Sequence, residues 1–241
     1  MIDHFFHPNG VAIIGATDNP AKGGYHILRN TLAGYKGRVY PVNPRYEEIQ
    51  GTRCYPNVES IPEDFDLAIY FIPAKFLPDT IKACAKKGVK AIIIESAGFS
   101  EVGEEGRLLQ RESVELARSL GIRLWGPNCM GLLDGHSRNV FSFMYSDKWM
   151  TLMKPGGVSL VVQSGMLSAG FLMMILESGG MGIAKVCSIG NKCDVDETEL
   201  LEYLIADEET GVIGLYLESI IDGRKFLELA RSTSKPIIVL K

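Results

Sequence analysis

The chain has 241 residues, 46% of them hydrophobic and 22% charged, with a net charge of −4, enough for one large α/β domain or two smaller ones. Its lysines and arginines are scattered singly, so no basic arm or stripe points to nucleic acid, and no apolar run reaches the ~18 residues of a membrane span. The five cysteines (Cys54, Cys84, Cys129, Cys187, Cys193) form no C-x-x-C pair and favour reduced thiols in a cytoplasmic protein over a disulfide frame or zinc site, while "MIDHFFHPNG" lacks the basic-then-apolar layout of a signal peptide.

From residue 11 short β-branched runs alternate with amphipathic stretches. Strands are predicted at "VAIIG", "GRVYPV", "LAIYFI", "AIIIES" and "IRLWG". Helices fall between them, at Tyr25 to Leu32, Leu77 to Lys87 and Glu104 to Leu120. In the last helix Leu108, Leu109, Val114, Leu116, Ala117 and Leu120 lie largely on one face. Strands that are apolar without strict alternation belong to a parallel sheet covered on both faces. Residues 1–131 therefore read as a doubly wound α/β domain.

Residues 132–156, "LLDGHSRNVFSFMYSDKWMTLMKPG", break this rhythm and read as an irregular inter-domain connection. The alternation resumes over 157–241: strand "VSLVV", a helix from Ser164, strand "IAKVCSI", helix "DETELLEYLIA", strand "VIGLYLE", helix "GRKFLELARS" and strand "PIIVLK". This second α/β unit stops on a strand. Open α/β sheets carry their sites in the loops beyond strand C-termini, so the unit is expected to be incomplete at its C-terminus.

"VAIIGATDNPAKGGYHIL" has the strand–loop–helix layout that gathers backbone N–H groups and a helix N-terminus around a diphosphate. It is not a dinucleotide fingerprint: Thr17 stands where the second Gly of G-x-G-x-x-G belongs, and the loop is stretched before Gly23-Gly24. The end of the second strand reads Val42-Asn43-Pro44-Arg45, with a guanidinium in place of the ribose-binding carboxylate. An NAD(P)-dependent oxidoreductase is disfavoured on both counts. Lys22 and Arg45 beside such a loop suit a ligand with more phosphate than NAD, and coenzyme A fits. The plainer reading is that Gly15 and Gly23 permit close helix–strand packing and both cations are solvated.

"VVQSGMLSAG" (161–170) raises the question of a nucleophilic Ser164. Val162 occupies the first Gly position of a G-x-S-x-G elbow, and no histidine follows Ser164 in the chain. Without a base its hydroxyl does not attack. Ser164 and Gly165 instead open a helix whose first N–H groups lack intrahelical partners and can take a phosphate oxygen. His4, His7, His26 and His136 lie in no Gly-rich loop at a strand end. Asp196 is predicted to cap a helix whose first-turn acids favour its dipole; an oxygen-ligand site at Asp194 and Asp196 is the weaker reading, and no metal site is assigned. "FLMMIL" has helical spacing and reads as core.

The segments "VAIIGATDNPAKGG", "VYPVNPRYEEIQG", "IPAKFLPDTI", "SAGFSEVGEEG" and "WGPNCMG", followed by "VVQSGMLSAG", "SIGNKCDVDETELLEYL" and "LYLESIIDGRKFL", resemble the nucleoside-diphosphate-forming acyl-CoA synthetases. The similarity is to the α part of ADP-forming acetate–CoA ligase, itself similar to the succinyl-CoA synthetase α subunit. It implies a Rossmann-like CoA-binding domain followed by a flavodoxin-like parallel α/β ligase domain. The implied reaction is acyl-CoA + ADP + phosphate ⇌ carboxylic acid + CoA + ATP, through an acyl phosphate and a phosphohistidine.

By that resemblance Gly15, Ala16, Thr17, Lys22, Gly23, Asn43 and Arg45 hold the CoA nucleotide, with Ile72 and Pro73 beside it. Asn128 and Cys129 approach the thioester end, Ser164 and Gly165 cradle phosphate, and Glu218 matches the acid that hydrogen-bonds the phosphohistidine. The family's phosphohistidine loop lies downstream of "PIIVLK", and ADP, ATP and Mg enter through an ATP-grasp β part supplied in cis or trans, as partner in an oligomer. Thr17 and Cys193 depart mildly from the usual Ser and small residue. Related CoA-binding domains fused to acetyltransferases give the alternative, a CoA-sensing regulatory domain.

Overall fold

The structure, a computed structural model, describes residues 2–145 and 149–241, apart from the side chains of residues 149, 150, 166 and 168. Residues 146–148 of the predicted connection lie outside the described residues. The chain opens with α1 (Asp3–Phe6), β1 (Gly10–Ile14), α2 (Gly23–Gly34) and β2 (Arg38–Val42). A small hairpin of β3 (Glu48–Ile49) and β4 (Thr52–Arg53) precedes β5 (Leu67–Tyr70), α3 (Leu77–Lys86), β6 (Ala91–Ile94), α4 (Glu104–Ser119) and β7 (Arg123–Trp125).

Strands β1, β5 and β6 are buried at every position, which is why they read as unbroken apolar runs. α4 starts on Glu104 and Glu105 and ends near Arg118, charges that complement its dipole. The first sheet is five-stranded in the order β2-β1-β5-β6-β7, and every pairing in it is parallel. The chain winds outward in both directions from β1. The crevice between the loops after β1 and β5 is therefore the switch point at which such sheets take ligands.

The stretch predicted as a connection contains strands. β8 (Leu132–Asp134) and β9 (Val140–Phe141) pair antiparallel with each other, and β8 pairs antiparallel with a strand of the second unit. Leu132, Leu133, Val140 and Phe141 are buried, and the register sets Asp134 opposite Lys185. The Lys185 ammonium, its side chain 1% exposed, lies 3.4 Å from Asp134, 3.1 Å from Asp207 and 2.7 Å from Glu209. A buried ammonium requires such partners, and they tie β8 into the second sheet. α5 (Trp149–Leu152) follows.

The second unit comprises β10 (Pro155–Val162), α6 (Gly165–Ser178), β11 (Ile183–Ser188), α7 (Glu197–Ala206), β12 (Val212–Tyr216), α8 (Gly223–Arg231) and β13 (Ile237–Leu240). β10 begins inside the expected connection because Gly156 and Gly182 pack so closely that a Cβ on either would collide with the other's backbone. The six-stranded order is β13-β12-β10-β11-β8-β9, and its four central-unit strands are parallel. β10 plays the part of β1: the chain winds outward from it, and its switch point lies between the loops after β10 and β12. "FLMMIL" is only partly core: Leu172, Ile175 and Leu176 are buried, whereas Met174 is 60% exposed.

The units share a core. Phe5 and Phe6 pack on Trp125, Phe6 stacks on Tyr203 with ring centroids 4.4 Å apart, and the same cluster continues through Val161, Cys187, Leu200 and Leu201. α1, absent from the sequence reading, is the plug between the units.

Candidate functional site

A cleft of about 870 Å³ opens at the first switch point, lined by Gly15, Thr17, Lys22, Gly23, Asn43, Arg45, Ile72 and Pro73, together with Gly24, Pro44, Tyr46, Phe71 and Phe76. Gly15 has φ +98°, and a Cβ there would run into the Phe71 carbonyl, so the loop can lie this close to β5 only with glycine. Asn43 fixes the opposite wall, donating from Nδ2 to the Ala16 carbonyl at 2.7 Å and accepting the Arg45 N–H at 3.0 Å. Thr17 Oγ1 lies 3.2 Å from the Tyr46 hydroxyl.

At the start of α2 no side chain caps the helix; the Tyr25 N–H donates to the Lys22 carbonyl at 3.0 Å, so the Gly23 and Gly24 N–H groups are the ones that can meet an anion. Neither Lys22 nor Arg45 pairs with a carboxylate among the described residues. The cleft thus combines donors, two cations and apolar walls, chemistry that can take a nucleotide with several phosphates. Of the predicted nucleotide residues, Ala16 alone does not line the cleft; it is fully buried and acts through its carbonyl.

A second cavity, about 630 Å³, lies between the units and is lined by Glu95, Ser100, Glu101, Asn128, Cys129, Met130, Phe143, Gln163, Ser164, Gly165, Gly190, Asn191 and Glu218. The C-terminal ends of β6 and β7 from the first sheet face those of β10, β11 and β12 from the second. It brings together Asn128 and Cys129, Ser164 and Gly165, and Glu218, predicted on three separate segments. Ser164 caps α6, accepting the Leu167 N–H at 3.4 Å. The Glu218 N–H donates to Gln163 Oε1 at 2.8 Å, which holds the loop after β12 against the loop after β10. Asn128 takes φ +54°. Burial pushes the Cys129 thiol well above its ordinary range, which works against a thiolate there.

The two halves of this cavity are held in register by backbone. Asn191 N–H donates to the Pro127 carbonyl at 2.9 Å, Cys193 N–H to Gly126 at 2.9 Å, and Val195 N–H to Leu124 at 3.1 Å. Trp125 Nε1 donates to the Ser188 carbonyl at 2.7 Å and Met130 N–H to Ser188 Oγ at 3.0 Å. Charge reinforces this. Arg123 donates to Asp194 at 2.8 Å and bidentately to Glu199 at 2.9 and 2.7 Å, and Arg118 takes the other Asp194 oxygen at 3.0 Å. Asp194 is fully engaged by arginines, and Asp196 caps α7 through the Thr198 and Glu199 N–H groups at 2.8 and 2.9 Å, so neither is poised as a metal ligand.

Sequence reasoning missed Glu95, Gln163, Asn191 and the aromatic walls Tyr46, Phe71 and Phe76. Glu95 follows β6 and is 4% exposed. Burial drives its carboxyl well above the usual carboxylate range, only partly offset by the Phe143 N–H, which donates to Oε2 at 2.9 Å. The signal available was an acid closing the apolar run "AIIIE".

Two family models match: a CoA binding domain over residues 9–134, and a succinyl-CoA ligase like flavodoxin domain over residues 155–241. Acetate–CoA ligase [ADP-forming] II subunit alpha of Pyrococcus furiosus is 42% identical over 100% of this chain and 52% of its own length. Acetate–CoA ligase [ADP-forming] II of Archaeoglobus fulgidus is 40% identical over 98% of this chain and 35% of its own. The dinucleotide forming acetyl-coenzyme A synthetase 1 of Ca. Korarchaeum cryptofilum, solved in complex with phosphate and ADP, superposes with a TM-score of 0.92 at 38% identity, covering 100% of this chain and 51% of that one. The chain spans between a third and about half of these relatives. Their ligase names favour the synthetase reading over the regulatory one. Among the described residues no helix is long and apolar enough to cross a membrane. With both domains matched in order along its length, the chain belongs to the nucleoside-diphosphate-forming acyl-CoA synthetase family, corresponding to the start of its α part.

Proposed function

We propose that this chain is the CoA-binding and partial ligase portion of an acyl-CoA synthetase, contributing to acyl-CoA + ADP + phosphate ⇌ carboxylic acid + CoA + ATP. One observation carries the reading: the strand ends of both units open on a single cavity, so a thioester held by the first unit meets a phosphate held by the second. In the cleft, Lys22 and Arg45 bind the phosphates, the Gly15 loop and the α2 N-terminus supply N–H donors, and Ile72 and Pro73 flank the apolar part of CoA. Bound CoA supplies the thiol that carries the acyl group. In the cavity, Asn128 orients the thioester end and the N–H groups at Ser164 and Gly165 hold phosphate.

Glu218, exposed where it lines the cavity, faces the phosphohistidine of this reaction, and an ATP-grasp part in the same or another chain binds ADP, ATP and Mg. The relatives called subunit alpha support a partner of that kind. Calorimetric titration tests the reading. CoA should bind the 241-residue chain, and Arg45→Ala should weaken it about tenfold, the loss of one charge-assisted hydrogen bond. No heat of binding at millimolar CoA would overturn the assignment.

A further inference from the structure

Most polar groups on the wall of the shared cavity are accounted for. Glu101 accepts from Asn191 Nδ2 at 2.7 Å and from the Phe99 N–H at 3.1 Å. Gln163 accepts from the Glu218 and Ser219 N–H groups at 2.8 and 3.2 Å, and Ser164 caps α6. Glu95 is different. Its Oε2 accepts the Phe143 N–H at 2.9 Å, whereas its Oε1 is buried with no hydrogen-bond partner. Of the described buried polar atoms left in that state, the others belong to His26, Tyr40, Ser113 and Thr198, none of which lines this cavity. Glu95 lines the cavity, with Oε1 packed beside Gly131, where a Cβ would stand 2.9 Å from it and would meet the Phe141 carbonyl first.

Among the described residues no lysine or arginine lines the cavity, and its other carboxylates are Glu101 and Glu218. No cation described there offsets the cost of burying a charge on Glu95, which raises its carboxyl and favours the neutral form. A carboxylate only accepts, whereas a neutral carboxyl has one O–H to donate. With Oε2 receiving the Phe143 N–H, the proton belongs on Oε1. A buried carboxylic acid kept neutral in order to donate is a known device for holding a carbonyl oxygen.

We propose that Glu95 recognises the acyl group: its Oε1 donates a hydrogen bond to the carbonyl oxygen of the acyl-CoA thioester, orienting the carbon toward phosphate at Ser164 and Gly165. This rests on the function proposed above, which puts the thioester beside Asn128 and Cys129. Phosphate has its own donors at the α6 N-terminus, which leaves the acyl carbonyl as the acceptor for Glu95. The residue makes the cavity favour acyl-CoA over free CoA.

The test compares acetyl-CoA with CoA as ligands of the full 241-residue chain, by calorimetry, in wild type, Glu95→Gln and Glu95→Met. Wild type should prefer acetyl-CoA. Glu95→Gln, whose amide keeps both a donor and an acceptor for Phe143, should keep that preference within about twofold, while Glu95→Met should lose about tenfold in acetyl-CoA affinity with CoA affinity unchanged. Difference infrared spectra should show a carboxylic C=O band that shifts on adding acetyl-CoA and vanishes in Glu95→Gln, a readout independent of whether the methionine variant folds. If wild type binds CoA but Glu95→Met keeps the acetyl-CoA preference, or inorganic phosphate affinity falls in its place, or no such band exists, the inference is overturned. If wild type binds neither ligand, it is the functional reading that fails.

Discussion

Lys192 and Glu197 form an ion pair at 2.7 Å that is closed to solvent on both sides, their side chains 5% and 0% exposed. The same ammonium donates to the Ser219 carbonyl at 2.7 Å, and the other Glu197 oxygen accepts the Ile221 N–H at 2.6 Å. One buried pair therefore binds the loop after β11, the start of α7 and the segment that follows Glu218. Lys192 adopts φ +44° to make it, a backbone region in which non-glycine residues sit at a cost.

Replacing Lys192 by Met should destabilise the protein by about 3–5 kcal/mol, because it strands a buried carboxylate. Urea unfolding measures this. Adding Glu197→Gln to that variant should restore part of the loss, since the amide carries no charge and its oxygen still accepts the Ile221 N–H. An additive double variant would show that the two side chains do not act as a pair.

Asp194 gives a signature in acid. Burial alone would raise its carboxyl, but hydrogen bonds from Arg123, the Leu124 N–H and Arg118 outweigh it and hold the group below the usual carboxylate range. A depressed folded-state pKa contributes stability that is present above the unfolded value of about 3.9 and is lost as pH falls through the folded value. Asp194→Asn should therefore cost about 1.5–3 kcal/mol at neutral pH, and the gap to wild type should close below about pH 4. Melting temperatures of the two proteins across an acid series decide it; a gap that widens on acidification would contradict the arrangement.

Gly15→Ala tests the nucleotide cleft without touching a charge. Its φ of +98° and the obstructing Phe71 carbonyl require a cost of about 1–3 kcal/mol. The loop must retreat from β5 and carry its N–H groups away from the ligand, so CoA affinity should drop by more than about tenfold, beyond the loss of one hydrogen bond. Calorimetry beside a thermal melt reads both effects. Unchanged CoA binding in a folded Gly15→Ala protein would place the phosphates elsewhere.

The strands with unbroken apolar runs were legible because a parallel sheet buried on both faces writes itself as such a run; Ile92, Ile93 and Ile94 are all fully buried. β8 and β9 were not legible, since three and two residues are too short to show a period and their pairing is decided by Lys185, some fifty residues later. The lining of the first cleft comes from one strand–loop–helix and one turn, local enough for Gly15, Lys22 and Arg45 to be grouped from sequence. The shared cavity was different. Ser164 stood out from its own strand–turn–helix, Asn128 and Glu218 only through resemblance, and Glu95 and Gln163 not at all, because their importance lies in what faces them across the boundary between units.

The cleft is built wholly from residues 15–76, while the cavity draws on both sheets, and that difference sets how freely the protein can be recombined. A hybrid joining the first unit of one relative to the second unit of another would inherit its first cleft intact. Its shared cavity would be assembled from strangers. Arg123 belongs to the first unit, whereas Asp194 and Glu199 belong to the second, so this trio must be exchanged together or matched by hand. The first site can be transplanted as a cassette; the second is the property of a pairing.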